Sequence, residues 1–167
     1  MKFSTKEDIE APIDYVFERV TDFQSFERSA LRRGAEVQRA DTLIAPGVGM
    51  AWDAVFQMRG KSRQVQIELS ELDAPNSMVI SSRSAAMGGY LAVELVALSR
   101  GRTRMSVDIE LKPKNLSSRL LVQSLKLARS NLTKRYKLRV AGFARDLEDR
   151  YKRFSRTHGR GEKAQLI

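Results

Sequence analysis

Apolar and polar residues along this chain follow two rhythms, one helical and one extended. From Asn115 to about Phe154, apolar or aromatic residues fall at Leu121, Leu125, Ala128, Leu132, Tyr136, Val140, Phe143, Leu147, Tyr151 and Phe154. Steps of three and four line one face of an α-helix. The stretch holds no proline, and its one glycine is Gly142. Unbroken, such a helix would reach about 60 Å. A small domain cannot cover that length, so the pattern predicts a kink or a projecting end. Its apolar stripe must be buried against something else in the chain.

The remaining sequence supplies extended segments. Lys2 to Glu10 alternates moderately and predicts a first strand, broken at Ala11-Pro12. Pro12 suits the first turn of a helix with Ile13, Val16, Phe17 and Val20 on one face. Asp22 or Ser25 can cap a second short helix carrying Phe23, Phe26 and Leu31, which ends at Gly34. From Ala35 the period becomes two. A short strand is predicted at 36–39 and a longer one from Met50 to about Arg59, the latter with Met50, Trp52, Ala54, Phe56 and Met58 on one face. Gly60-Lys61 marks a hairpin into a strand alternating Val65, Ile67 and Leu69 with Gln64, Gln66 and Glu68. After Asp73-Ala74-Pro75-Asn76, Met78, Ile80 and Ser82 form the inward row of a fifth strand, which Met87-Gly88-Gly89 closes as a hairpin or bulge. Tyr90 to Leu98 is apolar on both faces except at Glu94, the pattern of a central or covered strand. Arg100-Gly101-Arg102 then turns into Thr103, Met105, Val107, Ile109 and Leu111, the clearest alternation of all, stopped by Pro113.

The predicted order is β-α-α-β-β-β-β-β-β-α, an α+β chain with short connections between strands. Residues 1–154 form one domain in this reading, and 155–167 are expected to be a disordered polar tail, too poor in apolar residues to fold alone. This layout resembles the SRPBCC or START-like superfamily, in its polyketide cyclase/dehydrase-like branch. IEAPIDYVFERVTDF, PGVGMAW, LDAP and GRTRMSVDIELKP carry the resemblance, which covers roughly Met1 to Tyr151. It implies the helix-grip fold: a seven-stranded curved antiparallel sheet wrapped around a long C-terminal helix, with two short helices between strands 1 and 2. It also implies an elongated apolar cavity between sheet and helix. Such motifs specify a fold far better than a chemistry.

Composition narrows the chemistry. The 167 residues include no cysteine, which removes disulfides and thiolate nucleophiles. The single histidine, His158, falls in the expected tail, so no Ser-His pair can assemble in the folded part. Carboxylates are scattered, and neither a metal nor a cofactor is expected. Gly47-Val48-Gly49 has no following helix and reads as a turn rather than a dinucleotide loop. No apolar run approaches the roughly 18 residues of a membrane span, and the start lacks a signal-peptide h-region, so a soluble cytoplasmic protein is expected.

Two functions fit these bounds. The first is a carrier or sensor of a hydrophobic small molecule, lipid or polyketide-like, held by Trp52, Phe56, Met58, Met78, Met87, Met105, Leu132 and Tyr136. Methionine and aromatic linings suit irregular apolar ligands, and Trp52 and Tyr136 add hydrogen-bonding tips. The alternative is a cyclase- or dehydratase-like enzyme using Glu94, Tyr90 or Tyr136 as acid or base. Of these, Glu94 lies among apolar neighbours and is the one to check for burial.

Charge adds a third element. The net charge is +10, but from Lys112 to Lys163 sixteen basic residues stand against four acidic ones, while the rest carries 14 basic and 16 acidic. Lys126, Arg129, Lys134, Arg135, Lys137 and Arg139 can meet an anionic membrane surface. Nucleic acid is disfavoured, because no aromatic platform is interleaved with these charges. The sequence leaves the oligomeric state open.

Overall fold

The computed structural model describes the backbone of residues 1–164 and the side chains of residues 1–158. Strand β1 (Lys2–Ile9) leads into helices α1 (Ile13–Val20) and α2 (Phe23–Arg32). Strands β2 (Glu36–Arg39), β3 (Ala51–Met58), β4 (Lys61–Asp73), β5 (Ser77–Arg83), β6 (Met87–Ser99) and β7 (Arg102–Pro113) follow, then helices α3 (Leu116–Leu127) and α4 (Arg129–Ala164). The strands form one antiparallel sheet ordered β1-β7-β6-β5-β4-β3-β2. Five consecutive hairpin connections build β2 to β7, and β1 closes the other edge by pairing Lys2–Ile9 with Glu110–Thr103 of β7. This is the curved seven-stranded helix-grip architecture that the sequence resembles.

Alternation sets the inner, helix-facing side of the sheet. Ile9, Trp52, Leu69, Met78, Val93, Leu95, Met105 and Val107 are buried there, together with Val16 and Val20 of α1, Phe23 of α2, and Ala144 and Leu147 of α4. Thr103 is fully buried among them, and its hydroxyl donates to the Ala11 carbonyl at 2.8 Å. That bond fixes the break between β1 and α1 to the start of β7.

Three boundaries differ from the sequence expectation. The C-terminal helix is two helices, parted at Ala128, whose φ of −102° and ψ of 17° leave the helical region. The kink expected from length alone is this break: α3 lies on β7 while α4 lies along β1 and α1, and one straight rod cannot follow both. At the other end, α4 runs past Phe154 to Ala164, where a polar tail was expected. The His158 ring packs on Phe154 at 4.1 Å, and the Thr157 hydroxyl donates to the Arg153 carbonyl at 3.0 Å, so local bonds extend the helix without an apolar stripe. Residues 165–167 of that expected tail lie outside the described ones. Finally, Gly88-Gly89 is not the turn. Both pair within β6, opposite Lys112 and Leu111, and the turn is at Ser84–Ala86. A Cβ on Gly89 would stand 2.5 Å from the Glu110 carbonyl oxygen, so it is close strand approach that calls for glycine here.

Candidate functional site

The two ends of the inner face are finished differently. At the end covered by α1, α2 and the middle of α4, the space is packed. Tilted aromatic pairs join the layers there: Phe23 with Trp52 at 5.4 Å, Tyr15 with Tyr151 at 5.0 Å, and Phe26 with Phe143 at 6.0 Å. The Trp52 indole N–H donates to Glu27 Oε1 of α2 at 2.7 Å, which ties this helix down over the sheet. Trp52, Met78 and Met105 are therefore core residues in the described state, while Phe56, Met58, Met87, Leu132 and Tyr136 are half-buried.

The other end is open. Strand β5 stops at Arg83, opposite Gln66, whereas β4 continues back to Lys61, so residues 61–65 have no partner on that side. The resulting notch holds a cavity of about 800 Å³, bounded by β3 and β4, the β5–β6 turn and Lys114 just before α3. Ala54 and Val65 bring inner-face apolar surface to it, and Arg63, Arg83 and Lys114 bring positive charge. The eight residues expected to hold a ligand do not line this cavity. Trp52 borders a smaller one of about 430 Å³, and Phe56 another of about 570 Å³ beneath α2. The residues missed were legible in part. Arg63 lies in the inward row with Val65, Ile67 and Leu69, and a charge in an apolar row is a signal that period-two reading can detect.

The three acid–base candidates are not brought together. Glu94 is exposed, because β6 turns Val93 and Leu95 inward and Glu94 outward. Tyr90 shares that outer row. It stands opposite Glu110 in the ladder, with the Lys112 amine 5.7 Å from its ring centre, and the neighbouring Glu110 carboxylate pushes its phenol pKa up. Tyr136 is on the inner side, packed on Phe3 at 5.7 Å, and its hydroxyl donates to the Val107 carbonyl. Burial, with a further contribution from Asp108, pushes that phenol up to about 12. Its proton is thus held by a structural bond at neutral pH.

The basic residues Lys126, Arg129, Lys134, Arg135, Lys137 and Arg139 are all exposed. Beside them, α3 carries apolar side chains on both faces. Ser118 and Val122 are buried toward the sheet, while Leu116, Leu120 and Leu127 are 72%, 58% and 91% exposed. Spacings of four and seven put these three leucines on one line along the helix. Among the described residues no cluster of three or more His, Asp or Glu side chains could hold a metal, and no helix is long and apolar enough to cross a membrane.

Neither a family model nor a curated protein matches the sequence. Solved structures do match the fold. A protein from Thermus thermophilus is 16% identical, with 93% of this chain and 99% of that one covered at a TM-score of 0.62. The Zhui aromatase/cyclase from a Streptomyces species is 12% identical, covering 87% and 93% at 0.60. A START superfamily protein from Mycobacterium smegmatis is 12% identical, covering 80% and 95% at 0.53. Similarity at these identities speaks for architecture and not for chemistry. The chain thus has the helix-grip fold of the START-like, polyketide-cyclase-like proteins.

Proposed function

We propose that this protein binds a hydrophobic small molecule between the sheet and its C-terminal helices, as a carrier or sensor, and admits it at the open end beside α3. The observation that supports this reading is the notch of about 800 Å³ where β5 stops short of β4, at which inner-row Ala54, Arg63 and Val65 meet outer-row Asp53, Val55, Gln64 and Gln66 at the edge of the grip. Its size falls in the range of small-molecule sites, and its lining is mixed, with Ala54, Val55, Val65, Ala85 and Ala86 among polar and basic side chains. The dispersal of Glu94, Tyr90 and Tyr136 over two faces of the sheet gives the cyclase-like alternative no assembled acid–base pair. Trp52, the only tryptophan, reports on the inner face by fluorescence. Titration with straight-chain aliphatic alcohols should change its emission saturably. Val65→Phe, which fills the mouth, should abolish the change while leaving the thermal midpoint within a few degrees. Unaltered binding in Val65→Phe would place the site elsewhere.

A second reading concerns where the ligand is exchanged. The exposed Leu116, Leu120 and Leu127 line is flanked by Arg119, Lys126 and Arg129, and Lys114 at the cavity mouth immediately precedes the helix. An apolar line with a basic rim matches an anionic bilayer surface, where leucines enter the acyl boundary and each cation adds up to about 1 kcal/mol. Co-sedimentation with phosphatidylserine-containing vesicles should fall steeply in Leu120→Asp and on raising salt. Equal pelleting with neutral vesicles, or concentration-dependent self-association without lipid, would overturn it.

A further inference from the structure

Arg63 is unusual in its surroundings. It occupies an inward position of β4, opposite Phe56 and in the same row as Val65 and Ile67. Among the described residues its Nε, shut off from solvent, has no hydrogen-bond partner, and no carboxylate of theirs lies within ion-pair distance of its guanidinium. A buried donor left unpaired is destabilising, and more so when it is charged. The neighbouring cations are differently placed: Arg83 donates its Nε–H to Gln66 Oε1 at 2.9 Å, and Lys114 donates to the Ser84 carbonyl at 3.0 Å. All three line the same cavity, with the hydroxyl-bearing Ser62 and Ser84, and the one carboxylate in the lining is Asp53, an exposed outer-row residue.

We propose that the cavity takes an amphipathic molecule by its anionic end, with the Arg63 fork pairing a carboxylate or comparable oxyanion while the apolar body lies along Ala54 and Val65. The inference rests on the reading of an apolar ligand given above and adds the charge of its head. The planar guanidinium presents parallel N–H donors that match a carboxylate, and an anion reaching its cavity-facing nitrogens offsets the cost of holding this charge without a partner. Lys114 and Arg83 at the rim add positive potential that favours entry of an anion and disfavours a cation.

The test compares two probes of equal chain length, decanoate and decanol, by calorimetric titration of wild type, Arg63→Gln and Arg63→Lys. Wild type should bind decanoate at least about tenfold tighter than decanol, the scale of one charge-assisted hydrogen bond. Arg63→Gln should lose that preference and keep its affinity for decanol. Arg63→Lys, which retains charge without the fork, should fall between them, and it decides the matter if the glutamine variant does not fold. Equal affinity for the two probes, unchanged in either variant, overturns the anionic head and leaves the apolar site standing. Binding of neither probe overturns the apolar site, and this inference with it.

Discussion

Tyr136 and Trp52 both spend their polar tips inside the protein, and this determines what they can do. The Tyr136 phenol is neutral wherever the protein is folded below about pH 12. Tyr136→Phe should cost about 1 kcal/mol, the net value of one hydrogen bond. The sign of the pH effect follows from linkage: the folded state keeps a proton that the unfolded chain releases near its ordinary value of about 10. Stability from this group is therefore full below that value and is lost as pH rises toward 12. Urea midpoints at pH 8 and pH 11 should differ more in wild type than in Tyr136→Phe. Trp52→Phe removes the donor to Glu27 and should cost about 1.5–3 kcal/mol, as for bonds to charged groups. Glu27→Gln, which keeps an acceptor, should cost less in the same denaturation series. At this scale the sequence was half legible. Alternation placed Trp52 inward, but its partner lies twenty-five residues away on another element, and no local pattern encodes that meeting.

Elements were legible where local chemistry marks them. Asn115 accepts from the Ser118 N–H at 2.9 Å, and Ser118 Oγ accepts from the Asn115 N–H at 3.1 Å, which closes a capping box at the start of α3. Asn115→Ala should cost about 1 kcal/mol, read as a shift in the urea midpoint. The end of α3 carries no such mark. Leu127-Ala128-Arg129 contains neither glycine nor proline, and the break comes from two helices docking on different strands. Gly88-Gly89 misleads in the opposite direction, because glycine signals both turns and close strand approach. Gly89→Ala separates these meanings. In a turn it would be mild, but against the Glu110 carbonyl oxygen it should cost about 1–3 kcal/mol, as overpacking does, and unfolding midpoints will tell.

For the molecule as a whole, period-two rows and breaker residues sufficed to lay out seven strands, two short helices and a long helical C-terminus. The candidate site escaped that reading because it is a consequence of unequal strand lengths. Nothing in Ser84-Ala85-Ala86 announces that β5 ends while β4 continues, and the cavity exists only in that difference. Of the bulky residues chosen from the sequence, Trp52, Met78 and Met105 are core, while Phe56, Met58, Met87, Leu132 and Tyr136 are half-buried. Fold and filled core thus follow from the same alternation, and the opening follows from where it is interrupted.

Native mass spectrometry of the gently purified protein, before and after incubation with a mixture of medium-chain fatty acids and alcohols, tests the central claim most directly. A single small apolar molecule per chain, identified by organic extraction and absent from Val65→Phe, is the result predicted. A mass equal to that of the bare chain under every condition would contradict a ligand held in the grip.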